Sequence, residues 1–247
     1  MNLDFTYAYI DAWWAARGAT PEYVATQIAK TLESITGIEN PDARWTTFEP
    51  NEEWPTKFSN QLAVVKSNVF LTDPDSNGHV EAQPHRGYTL SMHPRIEPTN
   101  SRIIKSIDFW VGSETRATLM VFNRVSIEFE NFGRSIDQQL PLKFFESLAS
   151  TWRPDFISLS TDGTRELVDA SFTSPRPGLV MWFSDRLPCT PGVKSLGYPR
   201  LGEGVLVDLR SLVEDSDDPV ASLTKVYAQL ENVGAFDPIP PMSPIKD

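Results

Sequence analysis

Apolar and polar side chains alternate in several short segments of this chain, which is the pattern of a β-strand with one face against a core. The segments are 3–9, 88–92, 103–111 and 118–129. In the last of them, every second residue from Val125 to Phe129 is apolar, and the residues between are polar or charged. The three later segments follow one another along the chain, so the pattern predicts an antiparallel meander with one solvated face.

A spacing of three to four residues between apolar side chains marks the helices. A first helix is predicted over 21–37, because Thr20 is a good N-cap, a proline follows it and an apolar stripe comes next. Similar stripes predict helices over 142–152 and 219–233, and a less regular segment predicts one through Val65. We therefore expect three or four helices beside the sheet.

The remaining segments are strands, turns and loops. The segment Leu179–Ser184 follows a Pro-Gly pair and contains no charged residue, so it predicts a strand buried on both faces. Further strands are expected over 45–48, 155–160 and 205–209. Turns are expected at Trp13–Trp14, 73–78 and 162–164, and a long loop over 186–204.

No linker or change of composition divides the 247 residues, which suit one large domain. The predicted fold class is α+β, with residues 1–237 in a single domain. Its sheet is expected to be mainly antiparallel, with the meander at its centre and the helices flanking it. Residues 238–247 are rich in proline and predict a mobile tail.

Composition narrows the classes of ligand. The formal net charge is −11, with 33 acidic and 22 basic residues, which disfavours nucleic acid and anionic membranes as direct ligands. A basic protein partner would suit this charge, although acidity also serves solubility alone. Cys189 is the sole cysteine, and neither a secretory signal nor an apolar run of 18 residues occurs. We therefore expect a cytoplasmic protein.

No catalytic, cofactor or metal motif is present. The glycine-rich phosphate loops and the G-x-S-x-G nucleophile motif are missing. The spacing of His79, His85 and His93 matches no zinc motif, and the calcium-like start at 73–78 lacks a glutamate at its twelfth position. No base lies near Cys189 in sequence. The expected catalytic, cofactor-binding and metal-binding residues are therefore none.

Acidic residues concentrate in three places and are the candidate contacts with a partner. They are Glu52, Glu53, Asp73, Asp75, Glu214, Asp215, Asp217 and Asp218. The last group also suits solvation and the dipole of the following helix, so both roles stay open.

The seven tryptophans fall into two groups, one expected in the core and one that could contact a partner. Trp110, Trp152 and Trp182 are expected in the core, whereas some of Trp13, Trp14, Trp45 and Trp54 could anchor a partner.

Three segments carry a resemblance to a known family. They are Trp13–Arg17, Thr151–Phe156, and Gly178–Ser184 followed after a loop by Gly204–Leu209. In this order the chain resembles the immunity protein 52 family of bacterial polymorphic toxin systems. The resemblance implies a non-catalytic protein that neutralises a cognate toxin by protein–protein contact. It further implies a toxin of the restriction-endonuclease-like nuclease type, delivered between competing bacteria, for example by type VI secretion.

Two alternatives remain open from the sequence. One is a hydrolase that uses dispersed Asp and Glu side chains, which would require a pocket where carboxylates converge and their pKa values shift. The other is an accessory or assembly factor of a secretion system, for which exposed aromatic patches would be the sign.

Overall fold

The computed structural model describes residues 6–39, 43–95, 104–114, 123–130, 139–168 and 174–239. Eight strands in these ranges form one sheet in the order β2-β3-β4-β5-β1-β6-β7-β8, and every neighbouring pair is antiparallel. The strands are β1 (Tyr7–Trp14), β2 (Arg44–Thr47), β3 (Tyr88–Arg95), β4 (Ile104–Val111), β5 (Asn123–Glu130), β6 (Phe156–Thr161), β7 (Val180–Ser184) and β8 (Gly204–Asp208).

Four longer helices accompany this sheet: α1 (Pro21–Glu39), α2 (Phe58–Ser67), α3 (Leu140–Trp152) and α7 (Pro219–Asn232). Of the three short helices, α4 (Asp162–Arg165) and α5 (Thr190–Ser195) connect strands, and α6 (Arg210–Glu214) lies between β8 and α7. A single 3₁₀ turn spans Pro84–Arg86. The single α+β domain with an antiparallel sheet is therefore confirmed, and the four longer helices correspond to the four predicted ones.

The meander formed as the alternating pattern predicted. Strands β3, β4 and β5 pair consecutively, and β1 follows β5 in the sheet. Val125, Ile127 and Phe129 of β5 are fully or almost fully buried, whereas Arg124 and Glu128 are half-buried on the other face. Alternation places every second side chain on the same face, so one face collects the apolar set.

Helices α1, α2 and α3 cover that face, which we call the helical face. Their buried residues, among them Ile28 and Phe145, pack against inward side chains from most of the strands in one large core. The opposite face is covered differently at its two ends. Over β6, β7 and β8, helices α5 and α7 close a second core around Phe183 and Tyr227. Over β3, β4, β5 and β1 the residues of this face are mostly polar, such as Ser91 and Glu128.

The Leu179–Ser184 prediction is confirmed, because all residues of β7 are buried and the strand contributes to both cores. The first helix also formed where Thr20 predicted it, and its end lies two residues beyond Gly37. At the last helix, Asp218 Oδ1 accepts a hydrogen bond from Ala221 N at 3.1 Å, as an N-cap does.

Several local predictions were wrong. Trp13 and Trp14 do not form a turn but end β1, where Trp13 lies on the opposite face and Trp14 on the helical face. The expected loop over 186–204 contains α5, and the expected turn over 162–164 is the short helix α4. The strand expected over 88–92 extends to Arg95, so His93 lies within β3.

Parts of three predictions fall outside the described residues. They are the start of the first strand, the first part of the segment 118–129, and most of the proline-rich tail. Of the tail, Ile239 packs against the second core. Among the described residues, no helix combines the length and the apolar character needed to cross a membrane.

Candidate functional site

The predicted acidic contacts lie at two opposite edges of the sheet. Glu52, Glu53, Asp73 and Asp75 belong to segments beside β2 and β3, whereas the run Glu214–Asp218 follows β8 and α6. All eight carboxylate residues are exposed. Eight strands spaced about 4.8 Å apart separate the two edges by roughly 30 Å. The structure therefore brings the first four residues to one side of the molecule and leaves the last four at the other.

At the first edge, the chain turns after β2 and runs back along it. Thr47 N donates to the Glu52 carbonyl at 2.9 Å, and Trp54 N donates to the Trp45 carbonyl at 2.7 Å. These bonds cover the outer edge of β2 and hold Glu52 and Glu53 at the margin of the sheet. The Glu53 carboxylate pairs with Arg44 at 3.2 Å, whereas Glu52 forms no side-chain hydrogen bond or ion pair within the described ranges.

A hairpin over 69–83, which we call the arm, extends from the start of β3. Gln83 N donates to the Phe70 carbonyl at 2.7 Å, and Thr72 N donates to the Glu81 carbonyl at 2.9 Å. At its tip the Asp75 carboxylate accepts hydrogen bonds from Asn77 N at 2.8 Å and His79 N at 2.9 Å. Asp75 therefore holds the turn of the arm in place.

Exposed apolar side chains concentrate along the same edge. Phe48 is 62% exposed, Leu71 51%, Phe58 47% and Val80 41%. Among the large apolar residues of the described chain, one other is exposed, Leu196 at 39%, and it belongs to the other half of the sheet. We call these residues, together with the four nearby acids, the β2–β3 edge surface. It consists of Phe48, Phe58, Leu71, Val80, Glu52, Glu53, Asp73 and Asp75.

The run Glu214–Asp218, which we call the C-terminal acidic loop, has a different character. It joins α6 to α7, and Asp218 is used as the N-cap of α7. Asp215 and Asp217 are exposed and make no side-chain hydrogen bond or ion pair to the rest of the described chain. The loop thus contains both the structural and the solvated acids that its sequence suggested.

Two carboxylates are buried among the described residues, and each contacts an arginine. Asp11 is 1% exposed and accepts a hydrogen bond from Arg165 Nη2 at 2.5 Å. Asp155 is fully buried, accepts a hydrogen bond from Ala15 N at 2.9 Å and forms an ion pair with Arg186 Nη2 at 2.5 Å. Burial raises the pKa of Asp155, and the Arg186 charge opposes that rise.

These two carboxylates do not form an acid–base pair. Asp11 pairs with Ser158 in the sheet, and Asp155 lies beyond the start of β6, about three residues or 10 Å further along. A hydrolase that uses Asp and Glu side chains would need its carboxylates to converge in one pocket. The two buried carboxylates of the described chain do not converge.

A cavity with a volume of about 620 Å³ lies between α1 and α3, at the ends of β1 and β4. Its wall on α1 includes Tyr23, Gln27 and Lys30, which share one face of that helix because they are three to four residues apart. Arg17 and Arg153 also line it. Its lining residues include Trp14, Arg17, Gly18, Ala19, Thr20, Tyr23, Gln27, Lys30, Gly112, Ser150, Thr151, Trp152 and Arg153.

Arg17 joins the start of α1 to the end of α3. Its Nη2 donates to the Arg153 carbonyl at 2.9 Å and to the Trp152 carbonyl at 3.4 Å, which are carbonyls that α3 leaves unpaired. Its guanidinium lies 5.4 Å from the ring of Trp14, which in turn stacks on Trp152 at 5.4 Å between ring centroids. Burial lowers the pKa of Arg17 to about 10, so the side chain stays charged at neutral pH.

The residues considered for metal and thiol chemistry lie apart. His79 and His85 are exposed, and His93 contacts the ring of Phe48 at 5.4 Å. The described part of the chain contains no group of three or more His, Cys, Asp and Glu side chains that could hold a metal ion. Burial raises the pKa of the Cys189 thiol to about 11, which keeps it protonated at neutral pH.

The tryptophan predictions were partly wrong. Trp152 and Trp182 are buried as expected, but Trp110 is half-buried on the opposite face, where Arg124 lies 4.3 Å from its ring. Trp13, Trp14 and Trp45 are buried, and Trp54 is half-buried. Among the residues that the structure describes, the exposed Phe, Tyr and Trp side chains are instead Phe48 and Phe58, which the sequence analysis did not select. Phe48 was expected to end the strand over 45–48 and instead follows β2, and Phe58 begins a helix, so sequence did not distinguish them from core residues.

Comparisons with known proteins give little further information. No protein-family model matches the chain, and no curated protein matches it. One solved structure that the chain resembles is the Pseudomonas aeruginosa T6SS protein PA0821, with 11% sequence identity and a TM-score of 0.47. The similarity covers 91% of this chain and 72% of that protein. At this level it supports no argument about function.

Proposed function

We propose that this chain is a binding protein that neutralises a basic protein toxin through its β2–β3 edge surface. The observation that carries the proposal is that four of the five exposed large apolar side chains of the described residues belong to segments beside β2 and β3, where four exposed carboxylates also lie. Apolar anchors surrounded by a polar rim are the composition of a protein–protein interface. The acidic rim suits a partner whose surface is basic.

Apolar anchors favour this edge over the C-terminal acidic loop. A stable complex buries roughly 800 Å² on each partner, a patch about 30 Å across, so the size of the interface does not by itself choose between two acidic edges roughly 30 Å apart. Phe48 and Leu71 can contribute affinity at the first edge, whereas the C-terminal loop offers charge without comparable apolar anchors.

The proposed role is immunity, in line with the family resemblance. A nuclease toxin has a basic surface that faces DNA, and an acidic inhibitor that covers this surface would exclude the substrate. The proposal includes that the chain is not an enzyme, and that it acts in the cytoplasm, where an incoming nuclease would reach DNA.

The test first isolates the cognate partner by pull-down with the tagged chain and mass spectrometry. It then measures the partner's affinity for the chain by calorimetry and its DNA cleavage with the chain added. Phe48→Ser/Leu71→Ser should weaken binding at least tenfold and restore cleavage. Leu196→Ser is the matched control, because it removes an exposed apolar side chain from the other half of the sheet. It should leave both measurements unchanged.

A second pair of variants separates the two acidic edges. Glu52→Lys/Asp73→Lys should weaken binding and flatten its dependence on salt, whereas Asp215→Lys/Asp217→Lys makes the same change in net charge at the opposite edge and should have a smaller effect. If the C-terminal variant has the larger effect, the edge is wrong. If the wild-type chain leaves cleavage of DNA unaffected, the immunity proposal is wrong.

A further inference from the structure

The cavity between α1 and α3 has a charge opposite to that of the whole chain. Its lining includes Arg17, Lys30 and Arg153, and no carboxylate side chain belongs to that lining. Two carboxylates lie near it: Glu114, whose side chain lies against Gly18 at the margin, and Asp155, whose charge acts on Arg17. In a chain of net charge −11, a cavity with three cations is a local reversal of the overall field.

None of these three cations forms an ion pair with a carboxylate within the described ranges, and the same holds for exposed cations elsewhere, such as Lys57 and Lys225. What distinguishes Arg17, Lys30 and Arg153 is that they line one cavity. The Asp155 carboxylate acts on Arg17, but its ion pair is with Arg186. The cavity therefore offers positive charge to a ligand.

The margin of the cavity is held in a defined position before any ligand arrives. The connection from β1 to α1 is fastened by Arg17 N and Gly18 N, which donate to the Ser113 carbonyl at 3.1 and 2.9 Å. Asn123 is fully buried and its Nδ2 donates to the Ala15 carbonyl at 3.1 Å. Since these bonds fix the backbone that carries Arg17, a ligand would lose little binding energy in ordering it.

The Arg17 guanidinium has donors to spare. Its Nη2 contacts the carbonyls at the end of α3, and its Nε and Nη1 donate to no acceptor among the described residues. A desolvated guanidinium gains more from a bound anion than an exposed one does, because the surrounding dielectric is lower.

We propose that this cavity binds the phosphate group of a small phosphate ester. Three cations exceed what a singly charged carboxylate requires, and they match a group with two negative charges and three acceptor oxygens. Hydroxyl groups of Tyr23 and Thr151 in the lining add hydrogen-bonding capacity. The volume of about 620 Å³ is within the range of small-molecule sites and leaves room for the organic part of an ester.

The inference does not depend on the proposed toxin partner, and its test uses this protein alone. The probes are adenosine monophosphate, inorganic phosphate, acetate and uncharged adenosine, each measured by calorimetry. Adenosine monophosphate and phosphate should bind, while adenosine and acetate should bind at least tenfold more weakly. Binding of adenosine monophosphate should be tighter at about pH 7.5 than at about pH 5.5, because the second pKa of a phosphate ester lies near 6.

The variant for this test is Lys30→Gln/Arg153→Gln. Both side chains are exposed, so the fold should survive, and phosphate affinity should fall at least tenfold. Lys57→Gln/Lys225→Gln is the matched control, since it removes two exposed cations outside the cavity and should keep wild-type affinity. Equal phosphate affinity in the two variants, or no phosphate binding by the wild-type protein, would overturn the proposal. Acetate binding as tight as phosphate would overturn the choice of ligand class.

Discussion

Replacing Arg186 by glutamine should destabilise the protein by about 3 kcal/mol. Removing one partner of a buried ion pair costs about 3–5 kcal/mol, since the other charge stays buried without compensation. Asp155 is fully buried, but the Arg186 side chain is 33% exposed, so water can replace part of the lost interaction. Arg186 Nη2 also donates to the Arg153 carbonyl at 2.6 Å and the Pro154 carbonyl at 3.0 Å, and each lost bond adds about 1 kcal/mol.

A double-mutant cycle isolates the pair. Asp155→Asn removes the charge while its amide oxygen can still accept the hydrogen bond from Ala15 N. In the double variant no charge remains buried, so its cost should be smaller than the sum of the two single costs by at least about 1 kcal/mol. The free energies of unfolding are measured by urea denaturation, with circular dichroism and tryptophan fluorescence required to agree.

The pH dependence follows from the direction of the Asp155 pKa. Burial raises it, and Arg186 opposes that rise, so the arginine's removal should raise it further. A carboxyl with a higher pKa in the folded state binds more protons when folded, so stability decreases as pH rises from the unfolded pKa to the folded pKa. The cost of Arg186→Gln should therefore be larger at about pH 7 than at about pH 4. A cost below about 1 kcal/mol at both pH values, or additive single costs, would refute the reasoning.

Three further predictions concern other parts of the structure. Thr31→Val should lower the free energy of unfolding by about 1–3 kcal/mol in urea denaturation, because Trp152 Nε1 donates to Thr31 Oγ1 at 2.8 Å and would lose its buried acceptor. An unchanged free energy of unfolding would contradict this. Gly204→Ala should destabilise the protein, since the added Cβ would clash with the backbone carbonyl oxygen of Phe183 in β7. Gly37→Ala meets nothing within 4 Å and should stabilise α1 by about 0.5–1 kcal/mol, so the two variants should shift the melting temperature in opposite directions. Burial raises the pKa of the Cys189 thiol from 9.0 to about 11. Below pH 9, Cys189 should therefore react with iodoacetamide about a hundredfold more slowly in the folded than in the unfolded protein. Equal rates would show that the thiol is not buried.

Local patterns were sufficient to predict most elements of the fold. Thr20 and Pro21 located the start of α1, and alternation from Val125 to Phe129 located β5, because capping and side-chain direction depend on residues near in sequence. The pattern failed at Trp13 and Trp14. Both are apolar, so alternation disappears, yet β1 continues because both of its faces are covered there.

The candidate surfaces were harder to predict from the sequence. Charged side chains are expected to be exposed, so the exposure of the eight acidic residues could be predicted. Their separation onto two edges depended on the order of strands in the sheet. The contribution of Phe48 and Leu71 could not be foreseen, because an apolar residue beside a strand is more often buried than exposed.

The sequence by itself determined the α+β class, the meander, the four longer helices and an acidic surface, since each rests on interactions between residues near in the chain or on total charge. Tertiary structure alone decided which distant residues meet. Arg17, Lys30 and Arg153 line one cavity because α1 packs beside α3, and Trp14 stacks on Trp152 across the same junction. The physical reason is that packing of helices on a sheet is set by many weak contacts at once, and no short segment contains them.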